Sequence, residues 1–493
     1  MSKEFSTKHP VRVILFTSPT CGPCVSVDRI IRKFLGPGFG ISTHYNEIDE
    51  GEERELVEKY DIKRLPTLLI NDEKITSELI DEITIAEKLQ TKLFETVIER
   101  EKLREIHKEN LLILTQNTLD SMNQEKIIRP NIGDYCHIGL LQQNILSILA
   151  LDPLAEQFMY ILGKDLGIFG AGHSLLTTAN PQIYEKLTLN ERFKEIIKGF
   201  QKIYSSNCPF PLFIAEHTEI ISIEDEIAKI RIYSLATSVG APDIGEHLCS
   251  FIAGEIAGIT QALLGKTTFV EENACWGTGH EYCEFAIDIS DEAENKKYET
   301  PPPIPERRDL FRLLIKTIAD RFNASVLMKD VQRPTMGDYV YMGLLQQPIT
   351  SAKIMDEFCG SILYSAGREL GNFGPGKEIL RRSMEKRNVE KPLDFQTGVL
   401  VLHDYLIHPI MHIARSHAFC EIIELSEEEA IIRIHDCAYA TGVPGLGKTF
   451  CDFQAGYMAG RLEILTNIDT ILVTETKCHG TGDPYCEFLI QTD

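Results

Sequence analysis

Residues 272–285 read Glu-Asn-Ala-Cys-Trp-Gly-Thr-Gly-His-Glu-Tyr-Cys-Glu-Phe, and residues 475–488 read Glu-Thr-Lys-Cys-His-Gly-Thr-Gly-Asp-Pro-Tyr-Cys-Glu-Phe. In both segments a glutamate stands three residues before a cysteine, and seven residues separate that cysteine from the next. A third cysteine lies upstream of each segment, at Cys249 and Cys451. Cysteines scattered in a core would not keep this spacing twice, so the segments are predicted to belong to one repeated domain.

The repeat extends far upstream of these segments. Short motifs recur at an offset of 204 residues: Arg129-Pro130, Gly133-Asp134-Tyr135 and Gly139-Leu-Leu-Gln-Gln143 return as Arg333-Pro334, Gly337-Asp338-Tyr339 and Gly343-Leu-Leu-Gln-Gln347. Farther along, the copies drift by one or two residues. Each copy is predicted as an α+β domain, with helices first, then two strands, another helix and two short strands.

The repeated cysteines have the composition of a metal site. Zn²⁺ prefers four tetrahedral ligands with N, S or O atoms, and each copy supplies three thiols, so each needs one more ligand. The candidate ligands are Cys249, Glu272, Cys275 and Cys283 in copy 1, and Cys451, Glu475, Cys478 and Cys486 in copy 2. The glutamates are the weakest members, because Glu272 also fits a solvated surface carboxylate, and a water or another side chain would then complete the coordination.

A different cysteine motif lies near the N-terminus, where Cys21-Gly-Pro-Cys24 follows an apolar strand pattern and opens an amphipathic helix pattern. A cysteine at a helix N-terminus faces unpaired amide groups and the positive end of the helix dipole, and both favour the reactive thiolate. Zinc sites also use this spacing, but the placement between strand and helix favours redox chemistry.

Together with Arg64-Leu-Pro-Thr67, this pattern resembles the thioredoxin and glutaredoxin superfamily over roughly residues 9–95. The resemblance implies an α/β fold with Cys21 as attacking thiol, Cys24 as resolving thiol and Pro66 as a cis-proline beside the disulfide. Thioredoxins usually carry an aspartate where this chain has Leu15, which puts general protein reduction in doubt. The alternative is a degenerate fold that serves only as a docking module.

The repeated segments themselves resemble the 4-vinyl reductase domain, over about 115–290 and 310–490. The resemblance implies one Cys3Glu zinc site in each copy, bracing a pocket for a small hydrophobic or aromatic ligand. Zinc with no open coordination position would be structural.

Composition narrows the partners and the compartment. The chain has 493 residues and a net charge of −23, a field that repels nucleic acid and anionic membranes. The start lacks the apolar region of a signal peptide, and no stretch reaches the ~18 apolar residues of a membrane span. Thirteen cysteines without an export signal indicate redox, metal-bound or buried thiols in a cytoplasmic protein.

We therefore predict a multidomain chain with five parts: a redox domain over 1–95, a connecting helix over 96–114, copy 1 over 115–290, a proline-rich linker over 291–308, and copy 2 over 309–493. The expected function is a redox-linked small-molecule sensor or adaptor. The alternatives are a thiol-disulfide oxidoreductase that recruits protein thiol substrates through the repeats, and a scaffold related to vesicle-tethering subunits. The repeats are expected to pair within the chain or to form a homodimer.

Two further motifs are discounted. Gly442-Val-Pro-Gly-Leu-Gly-Lys448-Thr449 satisfies the P-loop pattern, but copy 1 keeps its glycines without the lysine, so the glycines belong to a turn of the repeat. The histidines of the 403–417 segment have no counterpart in copy 1 and favour a pocket-lining or solvated helix over a second metal site.

Overall fold

The computed structural model describes residues 11–18, 20–36, 43–49, 53–76, 81–99, 104–123, 127–178, 187–208, 212–296, 298, 307–355, 359–374 and 376–492. No helix in this part of the chain is both long and apolar enough to cross a membrane.

The N-terminal unit alternates strands and helices, as the sequence pattern predicts. Its strands are β1 Val11–Thr17, β2 Thr43–Asp49, β3 Thr67–Ile70 and β4 Glu73–Thr76, and its helices are α1 Gly22–Leu35, α2 Arg54–Lys59 and α3 Glu82–Glu99. The sheet order is β2-β1-β3-β4, with β1 parallel to β2 and antiparallel to β3. Strand β1 is central and apolar on both faces, and α1 buries Val27, Ile31 and Leu35 at helical spacing.

The predicted connecting helix over 96–114 does not correspond to one element. Its first residues complete α3, and the following helix is α4 Arg104–Asn123, with residues 100–103 outside the described part. Leu89, Leu93, Phe94 and Val97 are buried, so α3 belongs to the hydrophobic core. The charge run at 99–105 marks the interval between the two helices.

Copy 1 continues from α4 with helices that pack on one antiparallel sheet. The helices are α5 Ile138–Leu149, α6 Leu154–Asp165, α7 His173–Thr178, α8 Leu189–Ile203 and α9 Ser250–Leu264, and a π-helical segment, Leu166–Gly172, joins α6 to α7. The strands are β5 Tyr135–His137, β6 His217–Ile223, β7 Ile227–Tyr233, β8 Phe269–Ala274 and β9 Tyr282–Asp288. The sheet order is β6-β7-β9-β8.

Copy 2 has the corresponding architecture. Its helices are α10 Arg307–Val326, α11 Met342–Met355, α12 Cys359–Phe373, α13 Lys377–Arg387, α14 Phe395–Leu406, α15 Pro409–Ile413 and α16 Asp452–Thr466. Its strands are β10 Tyr339–Tyr341, β11 Phe419–Leu425, β12 Glu429–His435, β13 Ile471–Lys477 and β14 Cys486–Thr492. The sheet order β11-β12-β14-β13 is the equivalent order, so the sequence repeat is also a structural repeat.

Glycines of the repeat let two helices touch backbone to backbone. A Cβ atom at Gly163 on α6 would collide with the carbonyl oxygen of Phe251 on α9, and one at Gly254 would collide with that of Tyr160. Gly367 and Gly456 make the same approach in copy 2. The repeated glycines therefore set how closely α9 and α16 approach α6 and α12, which fixes the N-terminal ends of α9 and α16 in space.

The two copies pair through a pseudo-twofold interface. Strands β5 and β10 form a two-stranded antiparallel sheet, with Val340 opposite Cys136. The hydrogen bonds are reciprocal, because Ile138 N donates to Asp338 O at 2.9 Å and Met342 N donates to Asp134 O at 2.9 Å. Equivalent residues thus make equivalent contacts in both directions, which is the geometry of an isologous dimer within one chain.

The buried arginines of the repeat reinforce this interface. Arg129 donates to the carbonyl oxygen of Arg415 at 2.8 Å, and Arg333 donates to that of Phe213 at 2.6 Å. Both guanidinium groups are fully buried. The recurring Arg-Pro motif therefore marks residues that hold one copy to the other.

The predicted linker is partly ordered at its start. Asp291–Glu294 form a 3-10 turn, and Lys296 pairs with Asp288 at 2.8 Å, so this segment packs on copy 1 and is not extended. The prolines at 301–305 lie outside the described residues.

Candidate metal centres and redox dithiol

The copy 1 candidates meet where α9 begins beside the β8–β9 hairpin. Cys249 is the N-cap residue of α9, Glu272 lies on β8 and Cys283 lies on β9. The Cys249 and Cys283 sulfur atoms are 3.5 Å apart, and Glu272 Oε2 accepts a hydrogen bond from Cys249 N at 2.9 Å. The donor atoms of these three residues lie within 4.8 Å of one another, as a shared metal requires.

Cys275 is placed differently from the other copy 1 candidates. It follows β8 and is buried, but it is not a member of the compact group. Its thiol donates to the carbonyl oxygen of Glu246 at 3.7 Å and also interacts with Glu272. The sequence predicted four converging ligands here, and the structure brings three of them together with the fourth beside Glu272.

In copy 2 all four predicted residues converge. Cys451 is the N-cap residue of α16, Glu475 lies on β13, and Cys478 and Cys486 flank the β13–β14 turn. Their donor atoms lie within 4.8 Å of one another. The Cys451 and Cys486 sulfur atoms are 3.6 Å apart, and Glu475 Oε2 accepts from Cys451 N at 2.7 Å.

The glutamates are not solvated surface groups in either copy. Glu272 is 2% exposed and Glu475 is 9% exposed. Each has its Oε2 on the amide of the N-cap cysteine, whereas its Oε1 is buried without a hydrogen-bond partner. A buried carboxylate oxygen without a donor is costly, and a cation beside it would remove that cost.

Electrostatics in the cluster of copy 1 favour the same conclusion. Burial raises the pKa of Cys249, Cys283 and Glu272, because ionised groups lose hydration there. A divalent cation would supply the opposite charge that lets these acids ionise. The donor set therefore fits Zn²⁺.

The Cys21-Gly-Pro-Cys24 motif forms a disulfide at the N-terminus of α1. Cys21 is half-buried and is the N-cap residue, whereas Cys24 is buried within the first turn of the helix. The Leu65–Pro66 peptide bond is cis. Leu15, at the position where thioredoxins usually have an aspartate, is fully buried.

The sequence did not single out Cys437, which lies against the copy 2 cluster. This residue is 2% exposed and is within hydrogen-bonding reach of the Cys451 and Cys486 thiols. The repeat offered no signal for it, because Leu235 stands at the equivalent position in copy 1.

The P-loop-like segment forms a turn of the repeat. The amides of Gly447 and Lys448 donate to the carbonyl oxygen of Gly480, at 2.9 and 3.3 Å. They are therefore engaged within the zinc-candidate turn and not presented to a phosphate.

A cleft of about 750 Å³ separates the N-terminal unit from copy 2. Phe34 and Ile83 line one side, and Arg312, Arg368 and Phe373 line the other. A second cavity of about 330 Å³ lies beside α14 and α15 and is lined by His408, His412 and His417 among apolar residues. Within the described residues these histidines are not part of a metal-ligand cluster.

Comparisons with known proteins address the repeats. An uncharacterized protein of Methanocaldococcus jannaschii is 27% identical over 163 residues, which cover 32% of this chain and 80% of that protein. A second uncharacterized protein of this organism is 38% identical over 77 residues, 16% of this chain and less than half of the relative, 46%. A solved structure, the phenol-responsive sensory domain of the transcription activator PoxR with phenol, matches 50% of this chain and 94% of that chain, at 11% identity and a TM-score of 0.19.

The family model of the 4-vinyl reductase domain matches residues 229–289 and residues 430–492. Each match contains the glutamate and the two downstream cysteines of one repeated set of candidates. The upstream cysteines, Cys249 and Cys451, lie within the same two matched ranges. The predicted tandem arrangement is confirmed: the chain carries the 4-vinyl reductase domain at two positions, one in each copy.

Proposed function

We propose that the chain is a redox-linked small-molecule sensor or adaptor, in which a thioredoxin-like Cys21–Cys24 module is joined to two zinc-braced domains that bind an apolar or aromatic ligand. The observation that carries the proposal is the convergence of equivalent buried donors in both 4-vinyl reductase domains, each with an orphaned glutamate oxygen. Zinc would supply a structural crosslink between the helix N-terminus and the hairpin, and no open coordination position is required.

Contacts between the N-terminal unit and copy 2 support coupling of the dithiol to the repeats. Ser365 on α12 donates to the carbonyl oxygen of Phe34 at 2.9 Å, and Arg368 stacks on the Phe34 ring. These residues receive the C-terminal end of α1, the helix that has Cys21 and Cys24 at its other end. A small rotation of α1 on reduction of the disulfide would therefore be felt by α12.

Helix α12 in turn contacts the strand that carries a candidate ligand. Val473 N donates to the Tyr364 hydroxyl at 3.4 Å, and Val473 lies two residues before Glu475 on β13. The Gly36 backbone lies against the Tyr364 ring. Contiguous packing thus connects the end of the redox helix to the copy 2 cluster.

The test is native mass spectrometry of the chain purified from its own host. The proposal expects a retained small molecule and two zinc ions, and a change in retention after the disulfide is reduced with dithiothreitol. A chain that retains no small molecule in either redox state contradicts the sensor function.

A thiol-disulfide oxidoreductase is the second candidate function, favoured by the asymmetry of the dithiol. The half-buried Cys21 is accessible to a protein thiol partner, and the buried Cys24 is placed to resolve a mixed disulfide. The fold comparison with thioredoxins is part of this proposal. Turnover of a disulfide substrate that does not depend on zinc or ligand favours the enzyme over the sensor.

A further inference from the structure

The two candidate metal centres differ in one residue that contacts the cluster. In copy 1, hydroxyl groups face the sulfur atoms: Thr237 Oγ1 lies 3.4 Å from Cys249 Sγ, and Ser238 Oγ lies 3.1 Å from Cys283 Sγ. The equivalent residues in copy 2 are Tyr439 and Ala440. The side chain that reaches the corresponding sulfur atoms, those of Cys451 and Cys486, is the thiol of Cys437.

The surroundings of Cys437 are those of a thiolate. Its sulfur accepts a hydrogen bond from the amide of Tyr439, two residues onward, and the sulfur of Cys478 accepts one from the amide of Gly480, also two residues onward. Amide donors of this kind stabilise a charged sulfur. Cys437 therefore shares with a predicted member of the cluster both its burial and its local backbone arrangement.

The charge around the copy 2 cluster matches an additional anion. Lys353 is buried, pairs with Asp452 at 2.7 Å and interacts electrostatically with Glu475, and Lys448 lies beside it. The equivalent positions in copy 1 are Leu149 and Glu246. Arg307 there pairs with Glu156 and Glu246 at 2.5 and 3.5 Å. Summing formal charges gives +1 in copy 2, from two lysines and one aspartate, and −1 in copy 1, from one arginine and two glutamates.

We propose that Cys437 is a metal ligand, so that copy 2 binds its ion through the four thiolates of Cys437, Cys451, Cys478 and Cys486. Glu475 then remains a hydrogen-bond acceptor for the Cys451 amide, and copy 1 keeps a centre of three thiolates and Glu272. This inference rests on the proposed zinc function and deepens it, because it makes the two centres chemically different. A sulfur-only site is the softer of the two and favours softer divalent ions more strongly.

The test is cadmium-113 NMR of the full chain loaded with cadmium at both centres. Four thiolates deshield the cadmium nucleus more than three thiolates and a carboxylate, so two separate resonances are expected. Cys437→Ser should move the more deshielded resonance toward the copy 1 position, while Cys420→Ser, at a buried thiol outside both clusters, should move neither. An unmoved resonance in Cys437→Ser overturns the inference, because serine preserves a hydrogen-bonding role.

A second pair of variants decides the matter if Cys437→Ser does not fold. Glu272→Gln should shift the copy 1 resonance, and Glu475→Gln should leave the copy 2 resonance nearly in place. Equal shifts in the two variants overturn the four-thiolate centre. Failure of the wild-type chain to bind cadmium at either centre is a different result and counts against the zinc function itself.

Discussion

At the scale of single residues, the position of each cysteine in its element separates redox from metal chemistry. Cys21 is half-buried at a helix start, whereas the cysteines of the two clusters are buried together with a carboxylate that lacks a donor. The spacing of the repeats predicted which residues converge. It did not predict Cys437, because only a repeated residue stands out from a comparison of two copies, and Leu235 breaks that repetition.

Replacement of Cys275 tests whether a residue outside the compact group still binds metal. Cys275→Ala should remove about one zinc equivalent and lower the thermal stability of copy 1, because zinc binding contributes folding free energy. Inductively coupled plasma mass spectrometry and differential scanning calorimetry measure the two effects. Full zinc content in this variant would exclude Cys275 as a ligand, and Cys420→Ser is the matched control.

Substitution of the two N-terminal cysteines separates their roles. Cys21→Ser should abolish reduction of a mixed disulfide in a dithiothreitol-linked assay, since the attacking sulfur is lost. Cys24→Ser should instead accumulate the mixed disulfide, because the resolving thiol is absent. Zinc content should stay at the wild-type level in both variants. Unchanged turnover in Cys21→Ser contradicts the assignment of Cys21 as the attacking thiol.

Glu255 on α9 provides a test of pH dependence away from the metal candidates. Burial raises its pKa to about 7, and its Oε2 accepts a hydrogen bond from the Tyr204 hydroxyl at 3.3 Å. The folded chain therefore binds this proton more tightly than the unfolded chain does, and its stabilising contribution is lost as pH rises from the ordinary glutamate range through about 7. Urea unfolding at several pH values should show a steeper decline for wild type than for Glu255→Gln. Parallel curves for the two proteins would contradict the raised pKa.

At the scale of elements, close helix packing positions the candidate ligands. Periodicity predicted most strands and helices, since an amphipathic face leaves a clear pattern in the sequence. The repeated glycines were visible in the sequence, but the pattern alone does not say which helix they contact. The three-residue strands β5 and β10 and the π-helical segment escaped prediction, because elements so short or irregular leave no periodic signal.

Two glycine substitutions test the helix contact. Gly163→Ala should destabilise copy 1 by about 2–3 kcal/mol, because the new methyl group meets the backbone of α9 and cannot be accommodated by a side-chain rotation. Gly199→Ala, on α8 with open space around its Cα, should instead stabilise the chain by about 0.5–1 kcal/mol. Chemical denaturation measures both values. Equal effects of the two substitutions would contradict the close approach of α6 and α9.

At the scale of the whole molecule, one chain contains what two identical domains would form as a dimer. The reciprocal hydrogen bonds across β5 and β10 and the buried arginines join the copies. The sequence predicted pairing within the chain or a homodimer, and the interface geometry could not be derived from the repeat alone. The copies differ beside the candidate metal centres, as at Cys437 and Lys353.

Disruption of this interface should affect both copies. Arg129→Met and Arg333→Met each remove a buried guanidinium that bridges the copies, so each should lower the stability of the whole chain and not of one copy alone. Limited proteolysis with mass spectrometry should show cleavage appearing in both copies. Cleavage confined to the substituted copy would contradict a shared core.

The most direct test of the account is metal analysis of the full chain, purified without chelators and assayed for zinc and for folding by circular dichroism. The account predicts two zinc equivalents per chain, one for each 4-vinyl reductase domain, and loss of cooperative unfolding of both copies when a chelator removes them. A chain that contains no zinc and is nevertheless fully folded, with unfolding unaffected by added zinc, would contradict it.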